Sequence, residues 1–423
     1  MNFEKLYLKS INKNLVSWLA ATSPTDDLYK LEENVSLELN QSIQEFIKTN
    51  PEHPAALFNS HTILPKEYEE EKINLSQKLW IKYQALKKNK TAPDNEYFAL
   101  FDEMVEFNKK ALKYYNKDNN LLFFNDFALG ETSFIKNVVE QMANISKEFI
   151  KNKPKNKINL NPLKDIDQLL NFIGQFKDVD IKISDKNGSF MTAIDQNMSF
   201  IHVAKNKKDI FDTSTSITHE LGHALYQNRV LSKNTYIGKI GQCVSLSLHE
   251  SSSIIHELAL SGLNYNVKNS DNNFYRLGTD KVHYIIHIYI RMKIEEMLFN
   301  DEIKAKDISS VWNKMILEYI GIEPKNDWEG FMQDVHLNQG AFGYFHSYAI
   351  GFLNAVIMYE EIKKSLTDDW FYNVENVIIP KINSWYGKYN EESDNILSDM
   401  HKNIDDTLII YKDFIFKNFN YEE

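Results

Sequence analysis

The chain has 423 residues, 43% hydrophobic and 25% charged, which fits a globular protein with a large core. Acidic residues outnumber basic ones 59 to 48 for a net charge of −11, and no dense Lys/Arg stripe appears, so nucleic acid is not expected as a partner. The single cysteine, Cys243, excludes an intramolecular disulfide and any cysteine-based metal cluster.

The N-terminal stretch MNFEKLYLKSINKNLVSWLAATSPTDD mixes charges through its first turns and lacks the apolar run of a signal peptide. The most apolar stretch, 344–359, carries His346, Ser347 and Asn354 and falls short of a membrane span. A cytoplasmic protein without a membrane partner is expected. Residues 4–19, 27–48, 66–88 and 96–116 repeat apolar positions at three- and four-residue spacing, separated by SPTDD, NPEHP and KTAPD, and predict amphipathic helices. A further helical reading runs through 121–151. The proline- and asparagine-rich stretch 152–162 then reads as a linker, and a single catalytic domain over 1–423 is expected, with an N-terminal helical lobe (1–160) and a catalytic lobe (161–423).

The pattern changes between 178 and 205. VDIKIS, SFMTAI and MSFIHVA alternate or run apolar, and DKNG and DQN between them are turn sequences, so three short antiparallel strands are expected. The last of them, 198–204, is expected to lie at the edge and to pair with an extended peptide. Helical periodicity resumes at about 208 and continues almost to the end. The expected fold is mainly α, with one small sheet beside the residues described next.

Residues 217–226 read ITHELGHALY, in which His219, Glu220 and His223 form HExxH. Residues four apart share a helix face, so both imidazoles can reach one zinc ion, and Glu220 can address a water on it. A third histidine six residues beyond His223 would fall on Arg229, so the ligand is sought among acids. In LSLHESSSIIHEL (246–258), Glu250 follows His223 by 27 residues, room for a turn and a returning helix. Glu257 lies seven residues on, on the same face. Glu250 is favoured as ligand, with Glu257 orienting a histidine from behind. Zinc would activate the water, and Glu220 would take its proton and hand it to the leaving amine. Donors for the developing oxyanion are sought in QDVHLNQGAFGYFHSY (333–348): His336, Tyr344, His346 and Tyr348. Helix core is the competing explanation for the aromatic residues there.

Of 48 basic residues only three are arginine, at 229, 276 and 291. Where lysine is so favoured, each arginine is a candidate for work that needs a planar, two-pronged donor. A surface ion pair with Glu295, four residues on, is the plainer reading of Arg291.

Together these residues resemble the carboxypeptidase Taq family, the Thermus-type zinc metallocarboxypeptidases. HELGHALY (219–226) looks like the family's HEFGHALYE, and HESSS (249–253) is similar to HESQS, whose glutamate is the third zinc ligand. The family's WEN appears as HEL, keeping Glu257. YRLGTD (275–280) resembles IRxxAD, HYIIHIYIR (283–291) resembles TYxLHIxxR, GFMQDVHL (330–337) resembles GxxQDxHW, and GAFGYFHSYAIG (340–351) is similar to GxFGYFPTYxLG. The resemblance implies two lobes around a deep groove, a homodimer, and a peptide substrate with a free carboxyl terminus. It points to Arg276 for the terminal carboxylate, helped by Tyr344, with Arg291 and Tyr348 also on the substrate side and His336 and Tyr344 in catalysis.

The sequence also departs from the pattern. The family's HPF and DxRxT elements are represented only by GSF (188–190) and DQNMS (195–199), so Asn197 stands where an arginine is expected. The expected activity is a zinc-dependent metallocarboxypeptidase, with cobalt or manganese as substitutes. The alternatives are a thimet-like oligopeptidase or endopeptidase, and a catalytically inactive zinc-binding relative.

Overall fold

The computed structural model describes residues 1–60, 64–114, 132–155, 166–184, 188–204, 210–243, 245–261, 266–268, 280–386 and 403–422. Helices of seven residues or more, in chain order, are α1 (Phe3–Thr22), α2 (Asp26–Thr49), α3 (Pro54–Ser60), α4 (Lys66–Asn89), α5 (Asn95–Tyr114), α6 (Thr132–Asn152) and α7 (Ile166–Ile173). After three strands come α8 (Ile210–Tyr226), α9 (Leu246–His256), α10 (Lys281–Phe299), α11 (Ile308–Ile320), α12 (His346–Ile362), α13 (Ile379–Tyr386) and α14 (Ile404–Asn418). The first four predicted helices are present within a few residues of their expected ends. Of the expected 121–151 helix, 121–131 lies outside the described residues. Helix starts follow capping chemistry: Asn2 accepts from the Lys5 N–H at 3.0 Å, and Asp280 accepts from the His283 N–H at 2.8 Å.

The strands are β1 (Val179–Ser184), β2 (Phe190–Asp195) and β3 (Met198–Ala204), in the order β1-β3-β2. β2 and β3 form the expected hairpin, whose turn is closed by the Asn197 N–H on Asp195 Oδ1 at 2.7 Å. β1, however, pairs parallel with β3, so the sheet is mixed, and the segment expected at the edge is its central strand. Five residues separate β1 from β2, and a chain of that length can span at most roughly 16–18 Å, enough to pass the roughly 10 Å across an intervening strand. The crossing is pinned at His202 of β3. Its Nδ1 lies 3.0 Å from the Gly188 carbonyl and must donate, leaving Nε2 to accept from Ser184 Oγ at 2.8 Å. Ser189 Oγ accepts the Ala204 N–H at 3.1 Å from the same link.

The chain forms two compact units, each assembled from three segments. The first comprises Met1–Ile63, Asn159–Leu263 and Ile350–Lys402, and the second Leu64–Ile158, Asn264–Ala349 and Asn403–Glu423. In the first unit α8 packs on β3 and α9, and its inward face of Ile217, Leu221, Ala224 and Leu225 is fully buried. In the second unit α10 packs against α6 and α11, and a two-stranded parallel sheet joins β4 (Asn266–Lys268) to β5 (Asn420–Glu422). Among the described residues no helix is long and apolar enough to cross a membrane.

Candidate metal centre

Helix α8 presents His219 and His223 one turn apart, with their Nε2 atoms 3.1 Å from each other. Helix α9 brings Glu250 to the same point, its carboxylate oxygens 3.7 Å from Nε2 of each histidine. The two helices approach this closely because of Gly222. A Cβ there would fall 2.7 Å from Ser253 Cα and 2.8 Å from the Ser252 carbonyl, so only hydrogen fits. Ser252 Oγ then donates to the Gly222 carbonyl at 3.0 Å. From the other side Gly351 of α12 presses on the ligand-bearing stretch, where a Cβ would lie 2.5 Å from Glu250 Cβ.

Donors from His219, His223 and Glu250 all lie within 4.8 Å of one another. Metal bonds of about 2.0–2.1 Å at a tetrahedral angle put adjacent ligands about 3.3 Å apart. The observed separations of 3.1 and 3.7 Å bracket that value. Two imidazole nitrogens and one carboxylate fit a divalent cation, and these three residues would hold it.

The surrounding groups fix the histidines. Glu257, 2% exposed, sits 2.5 Å from His219 Nδ1, so that nitrogen carries the proton and Nε2 turns its lone pair to the metal position. His249 Nδ1 lies 2.5 Å from His223 Nδ1 and orients that ring in the same way. Glu257 opens a π-helical turn (Glu257–Ser261) that continues α9. The two rings of the HExxH pair stand nearly perpendicular, at 87°.

The electrostatics favour a cation. For His219, burial lowers the pKa, but the Glu257 hydrogen bond and the charges of Glu257, Glu250 and Glu220 outweigh it and raise it to about 9. Glu220 is raised to about 7 by burial, with Glu250 and Glu257 adding and His219 opposing. Burial lowers His249 to about 4, with His219 contributing, and holds His223 well below the ordinary imidazole value. The carboxylates of Glu220, Glu250 and Glu257 thus hold a proton on His219, while burial and the His219 charge keep His249 and His223 neutral, and a dication answers that excess of negative charge.

The other expected residues lie in other segments of the chain. In the second unit, exposed His336 lies edge-on to Tyr344 at 5.7 Å between ring centres, and Tyr344 meets Tyr348 at 5.7 Å. Arg291, expected at the substrate, is 3% exposed and pairs with Asp334 at 2.9 Å, not with Glu295. Its guanidinium lies 4.1 Å from the centre of the Phe345 ring. His346 is fully buried with neither ring nitrogen hydrogen-bonded among the described residues, so it belongs to the core. Asn197 is exposed in the β2–β3 turn, and Arg276 lies outside the described residues. Sequence reasoning gave His249, His287 and Asp334 no part. The four-residue spacing of His283, His287, Arg291 and Glu295 was the available signal for the second unit's cluster.

A family model for the carboxypeptidase Taq (M32) metallopeptidases matches residues 14–264 and 258–389. Carboxypeptidase 1 of Bacillus subtilis is 28% identical over 207 residues, which cover 43% of this chain and 40% of that protein. A thermostable carboxypeptidase 1 of Pyrococcus furiosus is 32% identical over 188 residues, 38% of this chain and 37% of its own length. The sequence matches therefore span about two fifths of these relatives. The solved structure of a Pyrococcus furiosus carboxypeptidase in an apo-Mg form superposes with a TM-score of 0.70 at 18% identity, covering 98% of this chain and 97% of that one. At that identity the likeness is one of fold.

Proposed function

The chain belongs to the carboxypeptidase Taq (M32) family of metallopeptidases, and from that premise we propose that it hydrolyses peptides at the carboxyl end. The observation that carries the reading is the convergence of His219, His223 and Glu250 beside a buried Glu220. The metal is proposed to be zinc, which suits two imidazoles and one carboxylate at tetrahedral spacing, with cobalt or manganese as substitutes. When bound, it supplies Lewis acidity toward a water and the scissile carbonyl.

The remaining steps belong to side chains. Glu220 takes a proton from the attacking water and returns it to the departing amine. Its pKa of about 7 makes it competent in both directions near neutral pH. Glu257 and His249 keep the two histidines in the tautomers that leave their lone pairs available. His336 and Tyr344 are proposed as hydrogen-bond donors to the substrate. Burial raises the Tyr344 hydroxyl above its ordinary range, against the opposing charge of Arg291, and so keeps it a donor. Arg276 is proposed for the terminal carboxylate, where a guanidinium offers two parallel hydrogen bonds. A homodimer is proposed on the family resemblance.

One observation favours a second reading. Asn197, exposed in its turn, stands where the family pattern has an arginine, which suits cleavage of longer peptides at internal bonds. The deciding measurement is a mass-spectrometric time course on an N-acetylated, unstructured peptide with a free carboxyl terminus, after zinc loading. Loss of one residue at a time from the carboxyl end supports exopeptidase action. Internal cuts support the second reading, and an intact peptide points to an inactive metal-binding relative. Glu220→Gln is expected to abolish turnover with one metal still bound; substantial residual activity would falsify the role given to Glu220.

A further inference from the structure

Helix α10 carries four buried polar residues at four-residue spacing: His283, His287, Arg291 and Glu295. Two of them grip a single downstream segment at separate points. Arg291 pairs with Asp334 Oδ2 at 2.9 Å, and Asp334 Oδ1 caps the short helical turn Val335–Asn338 by accepting the Leu337 N–H at 3.0 Å. That turn carries His336. One helical turn along α10, Glu295 Oε2 accepts the Gly343 N–H at 3.2 Å. Gly343 has a φ of +80°, a left-handed conformation that favours glycine, and it immediately precedes Tyr344. Between the two anchors the Arg291 guanidinium lies against Phe345.

We propose that Arg291 and Glu295 are positioning residues: they anchor the 334–345 segment at Asp334 and Gly343, and thereby set His336 and Tyr344 against each other for substrate. What His336 and Tyr344 then do rests on the function proposed above; that the segment is held by these two anchors does not. The geometry separates this role from direct binding. Arg291 is buried and committed to Asp334, so a substrate carboxylate would have to displace a buried ion pair, which costs more than it returns. Glu295 is raised to about 8, largely by burial, so it acts near neutral pH as an uncharged acceptor, which a glutamine can replace.

The test uses the full-length, metal-loaded protein with the variants Arg291→Ala, Arg291→Lys, Glu295→Ala and Glu295→Gln. Two quantities are read: kcat and KM on a free-carboxyl peptide, and the rate at which tetranitromethane nitrates Tyr344, located by peptide mapping. Both alanine variants are expected to lose kcat by about 100-fold, as misplacement of a working group does, with KM little changed. Their Tyr344 is expected to nitrate several-fold faster. Arg291→Lys keeps the charge but not the planar fork over Phe345 and is expected between alanine and wild type. Glu295→Gln is expected to restore both readouts.

A rise in KM with kcat intact in Arg291→Ala would make Arg291 a substrate contact and overturn the proposal. Wild-type nitration rates in both alanine variants would overturn it as well. If Arg291→Ala does not fold, the Glu295 pair carries the test, because neither of those changes strands a buried charge. A wild-type protein that binds metal but cleaves nothing would defeat the hydrolytic reading, and the nitration comparison would still decide whether the segment is anchored.

Discussion

At the scale of single residues, Glu257 shows how a carboxylate that touches no metal can govern one. It accepts from His219 Nδ1 at 2.5 Å, which fixes the tautomer and pushes the imidazole up to about 9 without a cation. Glu257→Gln keeps the shape but removes the charge. It is expected to weaken metal affinity about 10–100-fold, measured by competition with a chromophoric chelator, while Glu220→Gln leaves affinity near wild type. Equal affinities in Glu257→Gln and wild type would deny Glu257 that influence. Much of this centre was legible beforehand. The four-residue step of HExxH puts His219 and His223 on one helix face, and the seven-residue step from Glu250 to Glu257 places both acids on one face. His249 was not legible as a partner of His223, because its ring contact depends on how α8 and α9 pack.

At the scale of elements, that packing turns on Gly222. An added methyl group would meet backbone atoms of Ser252 and Ser253 at 2.8 and 2.7 Å, and backbone cannot move aside as a flexible side chain can. Gly222→Ala is therefore expected to pry α8 from α9, carrying Glu250 away from both histidines. Thermal unfolding should show a loss of about 1–3 kcal/mol, and metal titration a weakened site. Full retention of metal affinity would mean that α9 re-seats without disturbing the donors. Element existence was largely readable from periodicity and turn sequences. Strand order was not, since hairpin signals report only neighbours in sequence, whereas β1 skips β2 and is locked in place by His202 and Ser184. The π-helical turns after α8 and α9 were equally hidden, because one extra residue per turn leaves no mark on an apolar pattern.

At the scale of the whole molecule, buried ionisable groups set the response to pH. His287 and His346 are both lowered to about 3 by burial, with Arg291 adding to the effect on His287. Their folded values lie below the unfolded one, so the unfolded chain binds more protons between about 3 and 6.5, and stability falls as pH drops through that window. Glu295, raised to about 8, works the other way and withdraws stability as pH climbs from about 4.5 to 8. Thermal midpoints of the metal-loaded protein are expected to peak near neutral pH. His346→Phe should flatten the acid side; an unchanged acid slope would remove His346 from its cause. The scarcity of arginine was a global signal that the structure explains in two of three cases. Arg229 grips Asp178 through two hydrogen bonds of 2.9 Å and also pairs with Glu375, and Arg291 grips Asp334.

The interleaving of the two units bears on how the protein is made. The chain passes from one unit to the other five times, the last two near 349 and 402. All three candidate metal donors have been synthesised once residue 250 is in the chain, yet the unit that houses them is complete only after 350–402 follow. Synthesis proceeds at about 5–20 residues per second, so the nascent chain carries these residues for roughly 8–30 seconds before the last segment of their unit is complete. During that interval HExxH and Glu250 belong to an unfinished body, and metal capture before release from the ribosome would have to rely on the α8–α9 pair alone.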